Sequence, residues 1–145
     1  MAKTELRSEV EIDATPARVY AVLTDFGRYH EWNPYLTSLR GELAVGSKLQ
    51  MEISLPEGKT YDLLPEVTQV IENTELRWRS QVWLPGLLLA EHFFQLREHA
   101  GKTRVMQGQD FSGLLLRFSG NSLTLAARGA VYMNQALKKR AESGA

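Results

Sequence analysis

The 145-residue sequence contains no cysteine. Disulfides, thiolate nucleophiles and cysteine-held zinc are thereby excluded, and the absence is compatible with a reducing compartment. Neither charge is in excess, because 17 Lys plus Arg balance 17 Asp plus Glu. No block of like charge substitutes for the missing net field, so nucleic acid is not an expected partner. No apolar run approaches the roughly 20 residues needed to cross a bilayer, and the opening stretch MAKTELRSEVEID lacks the apolar centre of a signal peptide. The expectation is a cytoplasmic protein without stable membrane insertion. Catalytic and cofactor fingerprints are missing as well: there is no GxSxG elbow, no Walker loop and no GxGxxG. His30, His92 and His99 form no i,i+4 pair and lack a carboxylate cluster at a recognised spacing, so no metal and no cofactor are expected.

What is present is regular punctuation. Residues 6–12 alternate, with Leu6, Ser8, Val10 and Ile12 on one face and Arg7, Glu9 and Glu11 on the other, as in a half-buried strand. Thr15 is a fitting N-cap and Pro16 a fitting first helical residue, so a helix is predicted to about Asp25, burying Val19, Val22, Leu23 and Phe26. A short amphipathic turn over 27–32 ends at Asn33-Pro34, because the residue before proline leaves the helical region. Gly, Pro and Asn turns then separate candidate strands at 35–43, 48–55, 59–71, 75–83, 89–98 and 102–111. Pro65 inside one of them implies a bulge or an edge. Residues 121–142 read as one long helix, capped by Asn121 or Ser122, with Leu123, Ala126, Ala130, Met133 and Leu137 at helical spacing and Lys138, Lys139 and Arg140 at its negative end. The order is strand, two short helices, six strands, long helix. Its simplest packing is α+β, a curved antiparallel sheet wrapped around the C-terminal helix so that each apolar face is covered.

Two segments break the rule that turns are polar. Residues 83–90 read WLPGLLLA and residues 111–116 read FSGLLL. Consecutive strands joined by short turns pair as a meander, which brings both segments to one rim beside the start of the long helix. They form either the mouth of a hydrophobic pocket, with Trp83, Leu87 and Leu115 at its edge, or a closed lid over an ordinary core. Dipping into a membrane surface lacks the flanking Lys and Arg that would assist it. Below the rim, one face of the strands carries Leu76, Trp78 and Ser80, then His92, Phe94 and Leu96, then Thr103, Val105, Gln107, Gln109 and Phe111. Turned inward, those faces give the mixture of aromatic and sparse polar groups typical of a small-molecule site. One residue of slip would turn them out. Ala126, Ala127, Gly129 and Ala130 of the long helix either leave volume empty or let the helix approach the sheet closely. Trp32 is a clamp at one end of the sheet or part of a lining. His92 is the best-placed base, ahead of Asp110, Glu91, His30 and Tyr61, and Asp110 falls on the face opposite Gln107 and Gln109.

The phrases DFGRYHEWNPY, LLPEVTQVIENTELRWRSQVWLPGLLLAEHFFQL, KTRVMQGQDFSGLLL and GAVYMNQALKKRAE, with the order of elements, resemble the START-like or SRPBCC superfamily in its polyketide cyclase/dehydrase-type branch. The resemblance spans nearly the whole chain. It implies a helix-grip fold: a curved seven-stranded sheet around a long C-terminal helix, two short helices after strand 1, and a single ligand-binding domain over 1–145. It also implies a deep cavity between sheet and helix. Under that implication the ligand-binding candidates are Trp32, Tyr61, Trp78, Trp83, Leu87, His92 and Phe94, followed by Gln107, Gln109, Phe111, Leu115, Ala130 and Asn134. The expected partner is a small apolar molecule, lipid- or polyketide-like. The superfamily puts binding, transport and catalysis on one scaffold. Two alternatives therefore stand beside simple binding: a cyclase or dehydratase using His92, and a chaperone- or ribosome-associated interaction module. Monomer and homodimer remain equally open.

Overall fold

The computed structural model describes residues 3–82 and 86–144. The chain opens with β1 (Lys3–Ile12) and turns into α1 (Pro16–Thr24), where the Thr15 hydroxyl accepts from the Arg18 amide at 3.2 Å and Pro16 supplies the first turn. The second short helix is a 3-10 turn, Phe26–Glu31. Asn33 then redirects the chain: its Oδ1 accepts from the amides of Tyr35 (3.0 Å) and Leu36 (2.9 Å), spanning Pro34 and launching β2 (Leu36–Arg40). β3 (Gln50–Ser54), β4 (Thr60–Leu63), β5 (Glu66–Ile71), β6 (Glu75–Val82), β7 (Leu88–His99) and β8 (Lys102–Ser112) follow. A 3-10 turn at Leu116–Phe118 leads into α2 (Gly120–Ser143). Among the described residues no helix is long and apolar enough to cross a membrane.

Among the described residues eight strands replace the predicted seven, in a five-stranded antiparallel sheet ordered β1-β8-β7-β6-β5 and a three-stranded one ordered β2-β3-β4. Pro65 is the reason. Lacking an N–H, it cannot continue the ladder through 59–71, and the stretch divides into β4 and β5. The Pro65 carbonyl instead accepts from Leu49 N at 2.7 Å, and Val67 N donates to Ser47 O at 2.9 Å, so the chain passes from one sheet to the other at this point. The long helix begins slightly earlier than expected. Ser119 occupies the N-cap without a side-chain cap bond, its hydroxyl donating back to Leu115 O at 2.9 Å, and neither Asn121 nor Ser122 caps the helix.

The register turns the anticipated faces inward: Leu76, Trp78, Ser80, His92, Phe94, Leu96, Thr103, Val105, Gln107 and Gln109 are all buried. α2 lies against β1 and α1 through its C-terminal half, where Met133, Leu137 and Ala141 join Ile12, Val19, Leu23, Phe26 and Phe94 in the core. The small residues of α2 have a definite use at Gly129. A Cβ there would stand 2.4 Å from the Tyr35 ring, so the missing side chain is what lets Tyr35 lie flat against the helix. On the outer face Phe93 covers Gly108 in the same way, and the guanidinium groups of Arg7 and Arg77 sit 4.8 and 4.3 Å from its ring centroid.

Candidate ligand cavity

The two apolar turns meet. Leu114 N donates to Gly86 O at 3.1 Å and Leu115 N to Leu87 O at 2.9 Å. Gly113 makes the approach possible, since its φ of +126° suits glycine and a Cβ would lie 2.4 Å from the Leu87 carbonyl oxygen. Beneath them, between the floor formed by β6, β7 and β8 and the first turns of α2, is a cavity of about 210 Å³. A cavity of roughly 150 Å³ holds benzene, so this one suits a molecule of one or two rings.

Strand pairing arranges the floor in rows. Trp78, His92 and Gln109 lie opposite one another across three strands, then Ser80, Ala90 and Phe111, then Val82 and Leu88 toward the turns. Met51, Ile53, Tyr61 and Leu63 of β3 and β4 form a wall with Tyr35, and Ser119, Ser122, Leu123 and Ala126 close the α2 side. Trp78, His92 and Gln109 put polar groups at the inner row, aliphatic side chains lie near the turns, and Ser119 and Ser122 add hydroxyls on the α2 side.

The inner polar groups are held by directed bonds. The Tyr35 hydroxyl donates to Gln109 Oε1 at 2.7 Å, and Gln109 Nε2 donates to Ala126 O at 3.2 Å. His92 Nε2 lies 2.7 Å from Gln107 Oε1, while Gln107 Nε2 donates to Asn134 Oδ1 (2.7 Å) and Ala130 O (3.1 Å), and Asn134 Nδ2 to Ser8 Oγ (2.9 Å). Burial lowers the His92 pKa from 6.5 to about 4, only partly offset by the bond to Gln107, so the ring is neutral at pH 7. Burial likewise holds the Tyr35 hydroxyl protonated, well above the ordinary range, against a smaller opposing effect of Gln109. Trp78 Nε1 is buried without a partner among the described residues. Among the described residues no group of three or more His, Asp and Glu side chains is placed to hold a metal ion.

Of the candidates named from the sequence, Tyr61, Trp78, His92, Gln109 and Phe111 line the cavity. Phe94 stands behind the lining, stacked on His92 with centroids 4.9 Å apart. Gln107, Asn134 and the Ala130 carbonyl form the hydrogen-bonded support of His92. Leu87 and Leu115 act through their backbones in joining the turns. Trp32 is elsewhere: it packs on Tyr29 at 5.2 Å and borders a separate cleft with Arg18, Arg28 and Arg140. Trp83 lies outside the described residues. Of the lesser candidates for a base, Glu91 also borders the cavity but is bonded to Arg77 at 3.2 Å, while Asp110 is bonded to Arg7 at 2.6 Å and His30 is exposed on the 3-10 turn. Residues not anticipated include Tyr35, Met51, Ile53, Leu63 and Leu88. The alternation of Met51, Ile53 and Leu55 was a signal for one wall.

The profile of the family described as polyketide cyclase / dehydrase and lipid transport matches residues 3–139. Among solved structures, the Zhui aromatase/cyclase from Streptomyces sp. R1128 superposes with a TM-score of 0.80 at 14% identity, over 97% of this chain and 94% of that one. A START superfamily protein from Mycobacterium smegmatis gives 0.77 at 20% identity, over 97% and 99%. The di-domain ARO/CYC BexL from the BE-7585A biosynthetic pathway gives 0.78 at 16% identity, over 97% of this chain and 50% of that one, so the chain spans half of that di-domain protein. At such identities the likeness establishes the fold alone. No curated protein matches the chain.

Proposed function

The chain belongs to the polyketide cyclase / dehydrase and lipid transport family, and from that membership we propose that residues 1–145 act as one unit that binds a small, largely apolar molecule between the β6–β8 floor and α2. The cavity of about 210 Å³ carries this reading, because its wall is mostly aliphatic and aromatic and Trp78, His92 and Gln109 put polar groups together in its inner row. Burial of the ligand's apolar surface supplies affinity at about 25 cal/mol per Å² before the costs of association. The polar end fixes orientation.

A cyclase or dehydratase reading ranks second. Such chemistry requires a base that gains a proton near the working pH, whereas burial keeps His92 neutral down to about pH 4. His92 is better suited to accepting a hydrogen bond than to shuttling a proton.

Native mass spectrometry of freshly purified protein tests the binding reading. The expected result is an apolar adduct that leaves on denaturation and is lost in Ala126→Phe, which fills the cavity from α2. An adduct retained by Ala126→Phe, or bare masses for both proteins with no thermal stabilisation of the unsubstituted chain by one- and two-ring hydrocarbons, would refute it.

A further inference from the structure

The hydrogen bonds already made inside the cavity dictate which ligand group would complete them. No Lys or Arg lines the wall. A carboxylate or phosphate entering it would leave water with no cation to meet it. Anions are therefore selected against.

The neutral groups are more specific. Gln107 Nε2 faces two oxygens, Ala130 O and Asn134 Oδ1, which orients the amide so that Oε1 faces His92. An amide oxygen only accepts, so the proton between them belongs to His92 Nε2. Nδ1 is left as a bare acceptor. Directly opposite His92 on β8, Gln109 uses one amide hydrogen on Ala126 O and keeps the second. On β6, Ser80 lies opposite Ala90, diagonal to His92 on the same face, and its hydroxyl has no partner among the described residues. One acceptor is thus flanked by two donors with a free hydrogen, and Trp78 Nε1, opposite His92 on β6, is a third donor without a partner among the described residues.

A ketone would use only the donors and leave Nδ1 unpaired. A hydrocarbon would leave every one of these groups unpaired. A hydroxyl uses both kinds, giving its hydrogen to Nδ1 and receiving one at its oxygen. We infer that the cavity selects an uncharged alcohol or phenol of one or two rings, inserted hydroxyl first, with its apolar body toward Val82, Leu88 and Phe111. This inference rests on the binding function proposed above, and adds the class of ligand.

Three probes of one shape separate the two: naphthalene, 2-naphthol and 2-naphthoate, titrated into the full chain at pH 7.5 by calorimetry and ligand-detected NMR. We expect 2-naphthol to bind at least tenfold more tightly than naphthalene, and 2-naphthoate to show no saturable binding. His92→Phe, with its folding checked by circular dichroism, should erase the preference for the naphthol over naphthalene. Equal affinities for naphthol and naphthalene, or a naphthoate that binds as well as the naphthol, would overturn the hydroxyl inference and leave the cavity standing. If none of the three binds, the cavity function fails, and this inference with it.

Discussion

Acidification weighs the burial of His92 directly. The unfolded chain takes up a proton at this ring below about pH 6.5, whereas the folded protein resists it until about pH 4. Between those limits the unfolded state binds more protons than the native one, so stability falls as pH falls, and it stops falling from this cause below pH 4. Each unit of difference is worth about 1.4 kcal/mol, which makes the whole loss about 3 kcal/mol. That is a large share of the 5–15 kcal/mol that holds a typical domain together. The groups packed on the ring offer no compensation, since Trp78, Phe94 and Tyr35 are its aromatic neighbours and Gln107 is its bonded one. Urea unfolding followed by circular dichroism, at pH steps from 7.5 to 4, should be run on the wild type and on His92→Gln, which keeps a neutral donor toward Gln107. Glu31 and Glu142, whose carboxyls Arg140 and Lys138 hold below the usual range, also lose native stabilisation in acid, but do so in both proteins and cancel in the difference. The difference curve should bend between pH 6.5 and 4. Parallel curves would show that the ring is charged or water-accessible in the folded state, and would refute the argument.

Two glycines give further tests. Gly129→Ala improves helix propensity by about 1 kcal/mol but sets a methyl 2.4 Å from the Tyr35 ring, an overpacking worth about 1–3 kcal/mol. Net destabilisation is expected in urea melts, and a gain in stability would show that Tyr35 yields freely. Gly113→Ala combines an unfavourable φ with a collision against the Leu87 carbonyl, so a loss of about 2 kcal/mol or more should accompany faster amide exchange at Leu114 and Leu115. Unchanged exchange at those two amides would mean that the turns are not joined as described.

The parts of the fold that were legible from residues are those governed by local rules. Thr15-Pro16 marked a helix start, period-two alternation gave the inner faces of β6, β7 and β8, and the GLLL turns were placed at one rim by strand order. Pro65 implies a bulge or an edge because local sequence shows that a ladder must be interrupted, while the pairing of Leu49 with Pro65 that turns the interruption into two sheets is a distant event. Tyr35 was missed for a similar reason, its place being made by the absence of a side chain at Gly129 on another element. His92 and Phe94 occupy the same face of the same strand, yet one borders the cavity and the other stands behind it. What separates them is the portion of α2 above each row, which alternation does not encode. Leu87 and Leu115 join the two turns by a backbone bond, a contact that side-chain patterns do not encode.

The row of Trp78, His92 and Gln109 has a consequence for how such a molecule can change. Like the bulkhead of a ship, it divides a packed compartment, where α1 and the C-terminal half of α2 meet the sheet, from an unfilled one under the GLLL turns. Substitutions at Tyr61, Val82 and Leu88, lining residues outside the buried core cluster, alter what fits inside while removing little of the packing on which stability depends. Substitutions beyond the row are felt by the whole fold. Cargo and hull can therefore be revised separately, and the partition itself, where a histidine is held neutral by its surroundings, answers to both.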